Sequence, residues 1–520
     1  MRTLSLAMLA VPVLLGSQGA AQNNSTSPVI VSCAGYDRLL ADVGAIGQWC
    51  GDAALAQRLQ LLLLTLPQGD ATNGPLALDT ARPWGAVRLA GKPEPISYVF
   101  LPVADMAPLL AFVQGQLGCT VKAENGVYRI PFGRQAFYAV HRRHWAFLAD
   151  SRPGLEKVAA DPEKLLGDLP KRYDLAIHAS IRDLPEECRR WLSRWLCLDE
   201  RDDLLLGWNV DYSTKSSYVD LELRAQAGTT LAAHLAQVKP GKSAFVGLAM
   251  PNAAVTAIAA GAISDEEVGP VNGQLAVLHA AAIEQLRSQG LAEATFRWAS
   301  RLLDGIADGM RKAVEQKKLD GGLAIRLDAA GGTLLAGAAL AGTACLETVF
   351  QHASEQIPRN DPVAKTIAMA AATYNGIHLH TISLAVPDRQ LAPLVGDRLE
   401  IVVGIADDKV LVAVGRGAAP AIKNAIDRLK STGVGEVPPL KINVTVAPVA
   451  QLLATVGEDP RLKASAAMLA GLFQNDDAKG CLTLSAQRSP RGVQLRLQVD
   501  DKVLGALIAL GQMMGTYLPR

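Results

Sequence analysis

Residues 412–426, VAVGRGAAPAIKNAI, set Gly415 and Gly417 between a strand pattern and a helix pattern. In such a turn, backbone N–H groups and the helix N-terminus can hold a phosphate. Pro420 stands where a dinucleotide loop needs its third glycine, and no βαβ unit surrounds it, so a plain turn is predicted. Residues 239–243, KPGKS, imitate the end of a P-loop, but Ala236 replaces the first glycine and a strand pattern follows in place of a helix. They read as a linker. His378 and His380 lie two apart on a strand pattern, so both rings share one face. A pair supplies only two metal ligands and no third is marked, so neither a metal site nor a cofactor is predicted.

Charge and aromatic residues give the remaining candidates. His141-Arg142-Arg143-His144 occupies a predicted hairpin tip whose counterpart in the second half is Asp407-Asp408-Lys409. The change of sign favours a solvated turn, with an anionic-ligand contact as the alternative reading. The acidic groups 199–203 and 265–267 lack the spacing of a calcium loop. No G-x-S-x-G, S-x-x-K, H-E-x-x-H or C-x-x-C occurs, which argues against the common hydrolases, metalloproteases and thiol oxidoreductases. Six of the seven tryptophans precede Ala225, and Trp191 and Trp195 lie four apart on one helix face. This describes either a bulkier core or an aromatic groove for a glycan, peptide or lipid. The candidate ligand-binding residues are therefore Trp191, Trp195, Trp145, Arg142 and Arg143; no catalytic residue is predicted.

The elements that must position these residues recur twice. Residues 29–35 read as a strand and 36–66 as a helix; 244–250 and 252–314 repeat that order. Paired strands over 86–103 precede a helix at 105–117, and 322–341 precede one at 343–356. A lone strand (126–131 or 376–386), a hairpin (136–149 or 399–414) and a helix (153–160 or 418–429) follow. Each half closes with a strand (173–181 or 440–446), a second hairpin (204–225 or 480–499) and a terminal helix starting near 229 or 502. Alternation in YDLAIHASI and VQLRLQVD sets one face on a core and the other in water. The predicted class is α+β, a tandem duplication of a module with large antiparallel sheets and helices packed on one face. The predicted modules are 22–237 and 243–520, joined by the linker 238–242.

Composition bounds the function. Arg2, the apolar run 4–15 and the small residues Gly19 and Ala21 predict a leader, residues 1–21, and export to the periplasm or cell exterior. The run is too short to span a bilayer, and no transmembrane segment is expected in the mature chain. Charge is balanced, 51 basic against 50 acidic residues, and removing the leader with Arg2 leaves a neutral chain unsuited to general nucleic-acid binding. The seven scattered cysteines form no disulfide framework, and buried free thiols are expected.

Residues 96–110 (ISYVFLPVADMAPLL), 145–166 (WAFLADSRPGLEKVAADPEKLL) and 171–190 (KRYDLAIHASIRDLPEECRR) carry a resemblance. With 207–223 (GWNVDYSTKSSYVDLEL) and 397–415 (DRLEIVVGIADDKVLVAVG), the chain resembles a family of exported proteins of planctomycete bacteria that has no assigned activity. The resemblance implies export and the domain layout, and no chemistry. The expected function is binding or scaffolding in the envelope, without catalysis, for a glycan, peptide or lipid ligand or an envelope protein. A secreted hydrolase with a carboxylate site formed only in three dimensions is the alternative, and docking through the apolar stretch 503–518 is a third reading.

Overall fold

Turn residues cut this chain into short runs rich in Val, Ile, Tyr and Phe, which pair as antiparallel ladders. The computed structural model describes residues 28–515 apart from 52–56, 58–76, 90–95, 238–240, 352–366, 474–479 and stretches of one to five residues. The predicted leader and Trp195 lie outside the described residues, as does most of the predicted helix 343–356. Two compact units are present: Met1–Ala233 with Ser489–Arg520, and His234–Arg488.

The first unit contains β1 (Val29–Cys33), β2 (Trp84–Leu89), β3 (Ile96–Pro102), β4 (Lys122–Glu124), β5 (Val127–Phe132), β6 (Gln135–Arg142), β7 (Trp145–Ala149), β8 (Leu175–Ser180), β9 (Asp203–Asp211) and β10 (Ser216–Arg224). The second contains β11 (Gly241–Ser243), β12 (Val255–Ala262), β13 (Lys318–Asp328), β14 (Gly331–Ala339), β15 (Ile367–Tyr374), β16 (Ile377–Ala385), β17 (Arg398–Ile405), β18 (Lys409–Gly415), β19 (Gly435–Val437), β20 (Leu440–Thr445) and β21 (Cys481–Ser489). The last strand, β22 (Gly492–Asp500), belongs to the first unit.

In the first unit the antiparallel order is β4-β5-β6-β7-β3-β2-β1-β8-β9-β10-β22. In the second it is β15-β16-β17-β18-β14-β13-β12-β20-β21, with β11 and β19 paired separately. Counted from β1 and from β12, and leaving out the β11–β19 pair, the strands follow the same spatial order in both units. The strand of the second unit that corresponds to β1 is β12, and it differs from expectation. Residues 244–250 form a short 3-10 turn, Val246–Leu248, and the strand starts at Val255 inside the stretch expected to be helical.

The chain is α+β with a large antiparallel sheet, as its sequence predicts, and helices cover both faces of the sheet where it is most buried. The cause is the two-sided apolar run WAFLA in β7. Trp145, Phe147 and Ala149 pack with Phe100, Leu155 and Leu166 on one face. Ala146 and Leu148 meet Leu110, Val113 and Phe137 on the other, under the helix Met106–Leu117. The Asp105 carboxylate accepts from the Ala107 N–H at 3.0 Å and fixes the start of that helix; Gly118, at φ 60°, ends it. In the second unit β18 behaves alike, with Leu411 and Ala413 facing the helix Ala418–Thr432 and Val410 and Val412 facing the opposite core. The first helix runs Tyr36–Trp49, and the chain turns at Gly51 with φ 68°; most of 52–66, the rest of the predicted helix, lies outside the described residues.

Candidate functional site

Of the predicted ligand residues, Trp145, Arg142 and Arg143 have described side chains, and they form no groove. Trp145 is a core side chain, 5% exposed, edge-on to Phe100 at 5.6 Å with the Arg82 guanidinium 4.4 Å over its ring. This corrects its assignment to a ligand groove: its apolar area is already committed to the core. Arg142 and Arg143 stand exposed at the β6–β7 turn, while the Trp145 ring lies within the sheet core. Trp191 is on the helix Glu186–Ser193. His378 Nδ1 lies 2.7 Å from Glu347 Oε1 and His380 is fully buried; among the described residues no group of three ligands could hold a metal. Of the described cysteines only Cys33 is buried, and burial pushes its thiol up to about 12; Cys188 is exposed. Gly415 has a structural reason: a Cβ there would lie 2.2 Å from the Gly332 carbonyl oxygen.

The alternation in β8 and β22 predicts one face on a core and the other in water, with the apolar half as the ordinary inward one. Part of it is inverted. The polar side of β8, β9, β10 and β22 faces the helix Tyr36–Trp49 and the short helix Leu169–Arg172, which supply partners for it. Arg38 reaches Asp174 at 2.5 Å and donates to Asn209 Oδ1 at 2.8 Å; the Val210 N–H donates to Asp174 at 2.8 Å. One turn along the helix, Asp42 accepts from the Tyr212 hydroxyl at 2.6 Å. Asp42 and Asp174 are both fully buried. Burial and the neighbouring Asp174 charge push Asp42 up to about 6; burial raises Asp174 too, against the Val210 N–H and Arg38, which favour its charged form. One proton shared between two carboxyls is acid–base chemistry in principle, yet neither carboxyl reaches solvent.

A second polar cluster lies farther along the same face. Arg496 of β22 grips Asp220 of β10 with two hydrogen bonds, 2.8 and 2.9 Å, while stacking 3.9 Å over Tyr218. The Tyr173 hydroxyl also donates to Asp220, at 3.1 Å. Its ring lies over Gly207, where a Cβ would come within 2.5 Å of it. Arg172 and Arg224 each donate to Glu222 at 3.1 Å, and Gln498 donates to Ser216 at 2.8 Å.

With the polar half turned inward, the apolar half faces out. The registers align Cys33, Leu175, Trp208, Val219 and Leu497 in one cross-strand row, and Val31, Ile177, Leu206, Leu221 and Leu495 in the next. Leu175, Ile177, Leu206, Val219 and Leu497 are each 37–44% exposed. Five strands at the usual spacing make these rows about 19 Å long. Sequence reasoning quoted the alternating runs, whose apolar side is ordinarily the inward one. The signal lay in the acids and arginines at the other half of the alternation. Compared with protein-family models, with curated proteins and with solved structures, the chain matches none of them.

Proposed function

We propose that this chain is an exported binding protein without catalytic activity, whose first unit docks an amphipathic helix of a partner envelope protein on the apolar face of β1, β8, β9, β10 and β22. The observation that carries this reading is the pair of five-residue apolar rows with exposed Leu175, Ile177, Leu206, Val219 and Leu497. A contiguous apolar patch of this kind is characteristic of an interaction surface. The occupant follows from the fold's own practice. Farther along the same face, the 12-residue helix Met106–Leu117 covers the sheet. About 12 helical residues also span the 19 Å of these rows, which are open from β8 to β22 and covered at Cys33. The shared strand order of the two units supports a repeat of one module, and the leader-like start supports export.

The hydrolase reading has less behind it. Its candidate carboxyls, Asp42 and Asp174, are closed to substrate. The test uses a 12-residue helical peptide with leucines along one face, titrated against the protein and against Leu206→Glu/Val219→Glu. Saturable binding lost in the variant, at unchanged melting temperature, is expected. Equal binding by both proteins sinks the proposal, and stronger binding of a fatty acid than of the peptide reassigns the face to lipid.

A further inference from the structure

The KPGKS run at 239–243 fails as a P-loop, yet Lys242 within it lines a cleft of about 270 Å³ in the second unit. Gly261, Ala262, Lys317, Lys318 and Leu319 complete the wall. Its backbone is held at each lysine. Next to Lys242, the buried Ser243 hydroxyl donates to Asp320 at 2.6 Å and the Ala244 N–H donates to the same carboxylate at 2.9 Å. Lys317 sits in the left-handed region at φ 58°; its N–H donates to the Val314 carbonyl at 2.8 Å, and its carbonyl accepts from Ile263 at 3.0 Å.

The charges at this cleft are unequal. Lys317 pairs with Asp265 at 2.7 Å. Lys242 and Lys318 have no ion pair or hydrogen bond from their ammonium groups among the described residues. Glu436, across from Lys242 in the β11–β19 ladder, forms no ion pair with it. Two lysines without an ion pair therefore line one cleft. We infer that this cleft binds a phosphomonoester group, with Lys242 and Lys318 as its direct charge partners and Lys317 behind them. A phosphomonoester carries about −1.5 to −2 charges at neutral pH, which matches two free ammonium groups where a singly charged carboxylate or phosphodiester would leave one uncompensated. Ala262, opposite Lys318 in the β12–β13 ladder and therefore on the same face of the sheet, offers a small apolar contact to the organic part of an ester. This inference is independent of the helix-docking face of the first unit.

The test titrates the full chain with inorganic phosphate, phenyl phosphate, and vesicles containing phosphatidic acid or only phosphatidylcholine. Phenyl phosphate binding more tightly than inorganic phosphate indicates a soluble ester. Binding of phosphatidic acid vesicles alone indicates a lipid headgroup, and equal binding of both soluble probes indicates free phosphate. In each case Lys242→Gln/Lys318→Gln must weaken binding about tenfold or more. Ala262→Leu, which fills the cleft beside Lys318 while leaving every charge in place, must weaken it too, and Lys122→Gln on the first unit must not. The inference is overturned if no phosphate probe binds, or if the double lysine variant and Ala262→Leu both bind as the unaltered protein does.

Discussion

Asp42 couples the first unit to pH through burial against Asp174. Its carboxyl titrates near 6 in the folded chain and near 4 when unfolded. Between those values the folded state binds the extra proton, so stability falls as pH rises. The stabilisation is present below about pH 4 and lost by about pH 6, on the order of 2–3 kcal/mol. Asp42→Asn keeps the shape of the protonated acid, can still accept from Tyr212, and carries no charge against Asp174. Thermal melts at pH 4.5 and 7.5 should show the variant gaining stability over the parent mainly at the higher pH. An unchanged pH dependence in the variant would place the response elsewhere. The residues best seen in sequence, Trp145 and the Arg142–Arg143 pair, went to the core and to a turn, because an aromatic ring in a strand between two helix layers has no route to solvent.

At the scale of elements, β22 is the strand most dependent on specific contacts. Its nine residues pair in full register with β10, and Arg496 meets the almost fully buried Asp220. Removing one member of a buried charge pair leaves the other unpaired and costs about 3–5 kcal/mol. Arg496→Met should therefore lower stability by about that amount and speed amide exchange in β10 and β22 ahead of β5 and β6. Uniform acceleration across the sheet would show that the pair does not latch this strand. The hairpins themselves were legible in sequence because turn residues and period-two alternation are local signals. The start of the second unit was not: a short Ala-rich strand such as VTAIAAGA has a composition equally suited to a helix, and its pairing with β13 and β20 decides the matter.

At the scale of the whole molecule, the chain leaves its first unit before His234 and returns to it at Ser489. A chain ending at Arg488 would lack β22 and bare the full edge of β10, and an uncovered edge with an apolar face invites pairing between copies. Size-exclusion chromatography should find that truncated chain associated where the parent is not; a monomeric truncation would mean that β10 is protected by other means. Among the described residues no helix is long and apolar enough to cross a membrane. Apart from the start of the second unit, the sequence by itself determined most of the order of strands and helices, the antiparallel class and the places of most turns, since each rests on residues within a few positions of one another. Only the tertiary structure decided that β1 lies between β2 and β8, that Asp42 meets Asp174, and that Asp220 meets Arg496 across 276 residues. It also decided which half of each alternating strand is covered. Alternation creates two faces, but the covered one is set by where distant helices supply charge and hydrogen-bond partners, and in the first unit Arg38, Arg172 and Tyr173 supply them to the polar side.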